Sequence, residues 1–169
     1  MKKYYNFCSA LNTMNEYNNI DLSAYPEKVQ ELMLTGILNH YEKTFELSWK
    51  LSKQTLEYEG IGAAATGSPL EIIKLSYAYG IIDNADIWKA ALKDRNSLSH
   101  CYDQDVLFAM GTKIKEEYTP MFFKFKNKIE ERIRGLYNDG LLPESEIDKN
   151  ILSVIDEPLD LTNDLGRSR

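Results

Sequence analysis

Residues 26–60 read PEKVQELMLTGILNHYEKTFELSWKLSKQTLEYEG, and this stretch decides the fold. Val29, Leu32, Met33, Gly36, Ile37, Tyr41, Thr44, Phe45, Ser48, Trp49, Leu51 and Leu56 recur at the spacing of one helix face. Pro26 suits the first position of a helix, where its missing N–H costs nothing, and Gly60 ends the pattern. A helix of about 34 residues is about 50 Å long at its 1.5 Å rise. A rod of that length is the spine of a helical bundle.

The flanks agree. Upstream, Phe7, Leu11 and Met14 mark a narrow apolar stripe on a first helix of about residues 2–19, broken by Asn18-Asn19 and Asp21. Downstream, residues 60–67 are a small-residue loop. Its glycines follow no strand and lack the Gly-Lys-Ser/Thr ending of a phosphate cradle. Ser68-Pro69-Leu70-Glu71 is a capping box with Pro at the first helical position, and Gly80 closes that helix. Asp83 or Asn84 caps the next helix, which carries Ile87, Trp88, Ala91, Leu92 and Leu98. A last long helix runs from about Gln104 to Tyr137, with Val106, Leu107, Met110, Ile114, Tyr118, Phe122, Phe125, Ile129 and Ile133 inward, and Pro120 should kink or break it. No period-2 segment appears. The expected architecture is all-α: a four-helix up-and-down bundle core with one or two extra short helices.

A chain of 169 residues is one domain with enough bulk for a full core. Its net charge of −6 is uneven. Residues 139–169 hold eight acids against three bases, so residues 1–138 are nearly neutral at −1. A generic nucleic-acid coat protein would be basic throughout. The extension at 139–169 should hold a short helix from Glu144 to about Ile155 and then a mobile Pro/Asp/Asn-rich end. Cys8 and Cys101 cannot make a disulfide framework and have no metal-site company, so no metal or cofactor is expected and a reducing cytoplasm is. Met1-Lys2-Lys3 followed by Cys8 has the outline of a lipoprotein leader without its apolar stretch. No apolar run is long enough to span a membrane.

The chemistry concentrates in Arg95-Asn96-Ser97-Leu98-Ser99-His100-Cys101-Tyr102. Asn96 and His100 share a helix face, and the long Arg95 side chain can reach across. Cleaving RNA without a metal needs a base on the 2′-hydroxyl, an acid on the leaving oxygen and cations on the phosphorane. Histidine supplies the proton transfers, and an arginine fork supplies permanent planar charge. One chain offers one imidazole; a two-fold dimer offers two, and the aromatic-rich long helices carry more apolar surface than one bundle needs. On spacing alone, a solvated helix end explains the same residues. His40, mid-helix beside Tyr41, reads as structural. Trp49 and Trp88 could stack on a base, but at helical spacing they read as core. Between Lys113 and Arg134, seven bases face four acids, either a phosphate track or a solvated face.

The stretch from Arg95 to Tyr102 resembles the signature of the HEPN superfamily (higher eukaryotes and prokaryotes nucleotide-binding). Across most of residues 1–138, Phe45-Glu46-Leu47-Ser48-Trp49-Lys50, Leu56-Glu57-Tyr58-Glu59-Gly60, Ser68-Pro69, Gly80-Ile81-Ile82, Trp88 and Asp94-Arg95-Asn96 are similar to the nucleotidyltransferase substrate-binding proteins. The resemblance implies a HEPN-like bundle over 1–138, with 139–169 an extension peculiar to this chain. It implies a homodimer encoded beside a minimal nucleotidyltransferase, in a toxin–antitoxin pair. The toxin would be a metal-independent endoribonuclease acting on RNA and silenced when the transferase attaches AMP to the motif tyrosine. Carried over, Arg95 and His100 are catalytic, Asn96 supports them, and Tyr102 is the modification site. Glu46 and Lys50, one turn apart, are either supporting members or an ordinary i,i+4 surface pair. The competing function is a non-catalytic subunit presenting substrate or nucleotide to a transferase.

Overall fold

A computed structural model describes residues 1–98 and 104–156. Its helices are α1 (Lys2–Asn18), α2 (Glu27–Tyr58), α3 (Pro69–Ala78), α4 (Ala85–Ser97), α5 (Gln104–Lys113), α6 (Thr119–Asn138) and α7 (Lys149–Asp156), and a π-helical turn (Ile114–Tyr118) joins α5 to α6. No strand occurs among the described residues, and the fold is all-α. His100, Cys101, Tyr102 and the segment expected to be mobile at 157–169 lie outside the described residues.

Four rods form the core. Edge-on contact of Tyr17 with His40 and the bond from Asn18 to Thr119 run α1 antiparallel to α2 and α6. Phe45 against Trp88, and Tyr41 donating to the Ala91 carbonyl at 2.7 Å, run α4 antiparallel to α2. Gln104 on Glu27 at one end and Arg132 on Glu59 at the other set the α5–α6 rod parallel to α2. The directions alternate along the chain, an up-and-down bundle. Phe7, Tyr41, Phe45, Trp88, Phe122 and Phe125 meet in one aromatic core of tilted, edge-on contacts, the arrangement ring quadrupoles favour. The short α3 flanks α2 and α4.

Local signals act as the chain requires. Ser68 accepts from the Glu71 amide and Glu71 from the Ser68 amide, completing the capping box. Gly80, at φ 71°, lets the Ile81 amide reach the Ser76 carbonyl at 2.8 Å and closes α3. Pro26 is the residue flanking α2 rather than its first residue, and its carbonyl accepts from Val29 and Gln30.

Two further expectations need correction. Leu32, assigned to the buried stripe, is 73% exposed, and Val29 and Val106 are exposed as well. The reason is length: α1 ends at the level of His40, so the first third of α2 and α5 project as a two-helix arm with one uncovered face. The last rod is neither broken nor one uninterrupted α-helix. A proline ring meets the carbonyl four residues back, and the π-helical turn opens the backbone before Pro120. There Thr119 Oγ1 donates to the Ile114 carbonyl at 2.8 Å and accepts from Asn18 Nδ2 at 2.9 Å.

Beyond α6 the chain returns along the bundle. Leu142 and Ile151 are buried in the common core. The Met1 ammonium pairs with the Glu146 carboxylate, which also accepts from Tyr58 at 3.0 Å and Gln54 at 3.3 Å. Tyr5 donates to Asp148 at 2.6 Å. The expected helix from Glu144 to about Ile155 is a 3-10 turn over Glu144–Glu146 followed by α7.

Candidate active site

Helix α4 positions the site. Asn84 caps it by accepting from the Asp86 and Ile87 amides, and Trp88 and Ala91 are its buried residues. One turn past Ala91 the apolar stripe gives way to Asp94 and Arg95, which grip different neighbours.

Arg95 faces α2. Its Nη2 lies 3.0 Å from Glu46 Oε1, and Lys50 Nζ lies 3.0 Å from Glu46 Oε2. Arg95 Nη1 donates to Asn96 Oδ1 at 3.1 Å. Its Nε is buried without a hydrogen-bond partner among the described residues. Four of the sequence-predicted site residues, Arg95, Asn96, Glu46 and Lys50, are thus brought together. Glu46 is more than half of an i,i+4 surface pair, because it holds the guanidinium of another helix. His100 and Tyr102, the remaining two, fall outside the described residues.

Asp94 faces the other way. Its Oδ2 accepts from Lys113 Nζ at 2.7 Å and from the Tyr118 hydroxyl at 2.5 Å. Tyr118 is fully buried and stacked on Tyr41, with centroids 5.2 Å apart. Burial, reinforced by the Asp94 acceptor, pushes the Tyr118 hydroxyl up to about 12. Asp94 and Tyr118 hold the Lys113 ammonium above its ordinary value. Sequence reasoning used Asp94 only as part of a family pattern and missed this tether. Its one signal was an acid where the apolar stripe of α4 should have continued.

The other candidates sort out plainly. His40 is half-buried with its Nδ1 buried and unpaired, and burial, then Lys43, holds its imidazole below the usual value. Trp88 is core, while Trp49 is half-buried with Lys50 Nζ 5.5 Å from its ring. The basic excess of the last rod is dispersed: Lys113 meets Asp94, Lys126 meets Glu130, Lys128 meets Glu131, and Arg132 meets Glu59. Among the described residues no three His, Cys, Asp or Glu side chains are grouped to hold a metal. A cleft of about 910 Å³ opens between the end of α1 and the π-helical turn, lined in part by Asn15, Asn19, Lys115 and Phe123, and none of its residues belongs to the motif. No helix among the described residues is long and apolar enough to cross a membrane.

Comparison with known proteins adds to this geometry. The sequence profile of a family described as nucleotidyltransferase substrate binding protein like matches residues 2–131. A Haemophilus influenzae protein named probable ribonuclease HepT is 29% identical over 93 residues, 54% of this chain. That match spans 64% of the relative's length, less than two thirds of it. A solved structure from Haemophilus influenzae, described as revealing the fold of a substrate binding domain of a nucleotidyltransferase, superposes with a TM-score of 0.61 at 22% identity. It covers 76% of this chain and 94% of that one, a likeness of fold.

Proposed function

The chain belongs to the nucleotidyltransferase substrate binding protein-like family, and from that premise we propose that it is a metal-independent endoribonuclease, working as a homodimer and silenced by a partner nucleotidyltransferase. The observation that carries the reading is Arg95. A guanidinium stands at the end of α4, held by Glu46 on one edge, with 34% of its side chain exposed. The exposed part of an arginine's planar fork matches phosphoryl oxygens.

In the proposed reaction the 2′-oxygen of RNA attacks the adjacent phosphorus and loses its proton to one His100 imidazole. The phosphorus–5′-oxygen bond breaks, and the leaving oxygen takes a proton from the other chain's imidazolium. The products are a 2′,3′-cyclic phosphate and a 5′-hydroxyl. Arg95 stabilises the charge that builds on the phosphorane. Support for two chains comes from the arm of α2 and α5, whose exposed Val29, Leu32 and Val106 form apolar surface that a second copy would cover. Adenylylation of Tyr102 would place a phosphodiester anion two residues along the chain from His100, opposing substrate by charge and volume.

The test is cleavage of single-stranded RNA in excess chelator by the wild type and by His100→Ala and Arg95→Ala, with intact-mass measurement after co-expression with the adjacent transferase. The reading expects metal-independent cleavage lost in both variants, and AMP added to the wild type but not to Tyr102→Phe. Absence of cleavage by the unmodified wild type would make the chain a binding subunit of the transferase instead.

A further inference from the structure

Five charges drawn from three helices meet at the end of α4, where Arg95 and Asp94 turn to opposite neighbours. Lys50 meets Glu46, Glu46 meets Arg95, Asp94 adjoins Arg95 in sequence, and Asp94 meets Lys113. Two of these links cross between helices, which ordinary i,i+4 surface pairs do not. Lys113 ends this series of contacts. The buried Tyr118 hydroxyl needs an acceptor, and among the described residues Asp94 provides it. The ion pair is part-buried, and a pair that keeps contact with solvent adds about 1 kcal/mol, a modest contribution to stability.

Lys113 is held with unusual definition for a lysine. Its ammonium sits 2.7 Å from Asp94 Oδ2 and 5.3 Å from the centroid of the Tyr118 ring. Asp94 is fixed by the hydroxyl of Tyr118, and Tyr118 by burial and by stacking on Tyr41. The π-helical turn starts at the next residue, and such turns re-aim side chains at functional sites. The side chain remains 34% exposed. An ammonium has three donors; Asp94 takes one and the Tyr118 hydroxyl oxygen takes another, which leaves one for a further acceptor.

We propose that Lys113 contacts a phosphate of the RNA strand bound at Arg95, and that Asp94 is a positioning residue that presents it. The inference rests on the reading of the chain as an RNA-cleaving enzyme and adds a second phosphate contact to that site. Asp94 keeps the ammonium from wandering, so that the phosphate contact of Lys113 also sets strand register.

The test separates the two readings. A fluorescent single-stranded 2′-deoxy oligonucleotide has no 2′-hydroxyl, so it binds without being cut. Its affinity is measured by anisotropy across about 50–200 mM salt, where each lost phosphate contact lowers the logarithmic salt slope by about 0.7. Lys113→Ala should lower the slope by that amount and Lys113→Arg should restore it. Lys115→Ala, on the cleft by α1, should leave it unchanged. Asp94→Asn keeps the lysine's charge, so the slope should stay while kcat on RNA falls and KM moves little; Asp94→Glu should recover part of kcat. An unchanged slope in Lys113→Ala overturns the proposal, as does a wild type that binds no single strand. A lowered slope in Lys113→Ala together with a wild type that cuts no RNA leaves the Lys113 contact standing and removes the nuclease reading.

Discussion

Glu46 on α2 lies 3.0 Å from the guanidinium of Arg95 on α4, and its second oxygen lies 3.0 Å from Lys50. One carboxylate therefore restrains the proposed phosphate-binding arginine and carries a second cation. The pairs are partly exposed, so they orient more than they stabilise.

Glu46→Gln should change unfolding free energy by less than about 1 kcal/mol in urea titration. Arg95→Ala should be equally mild for stability while lowering RNA cleavage by about 10²-fold or more, the usual loss on removing a transition-state donor. A loss of activity that simply tracked a loss of fold would contradict this.

Leu32→Asp probes the arm. At 73% exposure the substitution should cost a single chain no more than about 0.5 kcal/mol. Sedimentation at micromolar concentration should show about twice the 19.5 kDa chain mass for the wild type, and a shift toward one chain for the variant, with RNA cleavage falling in parallel. A wild type that sediments as one chain removes the two-imidazole mechanism.

Two glycines of the rods should respond oppositely to alanine. A Cβ at Gly36 meets nothing within 4 Å, so Gly36→Ala should gain up to about 1 kcal/mol of helix propensity. At Gly111 a Cβ would lie 2.5 Å from Leu34 Cδ2, and Leu34 is buried. Overpacking of up to about 3 kcal/mol then exceeds the same gain. Denaturant midpoints of the two variants on either side of wild type are the expected result.

The return of the chain through Glu146 and Asp148 should depend on pH at both ends. Burial pushes the Glu146 carboxyl up, but the Met1 ammonium and Tyr58 more than offset it and leave it below its ordinary 4.5. Tyr5 and the Ile151 amide hold Asp148 low as well. Carboxylates lowered on folding contribute stability that is complete above about 4.5 and is lost as pH falls through the lowered values. Tyr5 and Tyr58 are raised above 10.0, chiefly by burial, so their contribution holds below 10 and is lost as pH climbs past it. Amide exchange in α7, corrected for intrinsic rates, should be slowest across that plateau and accelerate at either edge.

Much of the bundle was legible because local patterns carried it. Tyr41, Phe45, Ser48, Leu51 and Leu56 are buried at the spacing that announced them, and Ser68, Gly80 and Asn84 end and begin helices as their chemistry dictates. Leu32 could not be read correctly, since a helical stripe does not say how far the neighbouring helix extends. The Met1–Glu146 contact joins residues 145 apart and leaves no local trace. Of the site, Arg95 and Asn96 stood out by residue type, whereas the roles of Glu46 and Asp94 arise only when α2 and the π-helical turn come alongside α4.

The π-helical turn has a further consequence for the rod it interrupts. Such a turn is equivalent to one residue inserted into an α-helix, and one residue is about 100° of rotation. Deleting a residue from Ile114–Tyr118 while replacing Pro120 by Ala should restore a plain helix in which α5 is turned by that angle against α6. Phe122, Phe125 and Ile129 could keep their core positions only if Lys113 swung away from Asp94. The rod is thus two faces spliced out of phase, one phase serving the aromatic core and the other delivering a lysine to the end of α4.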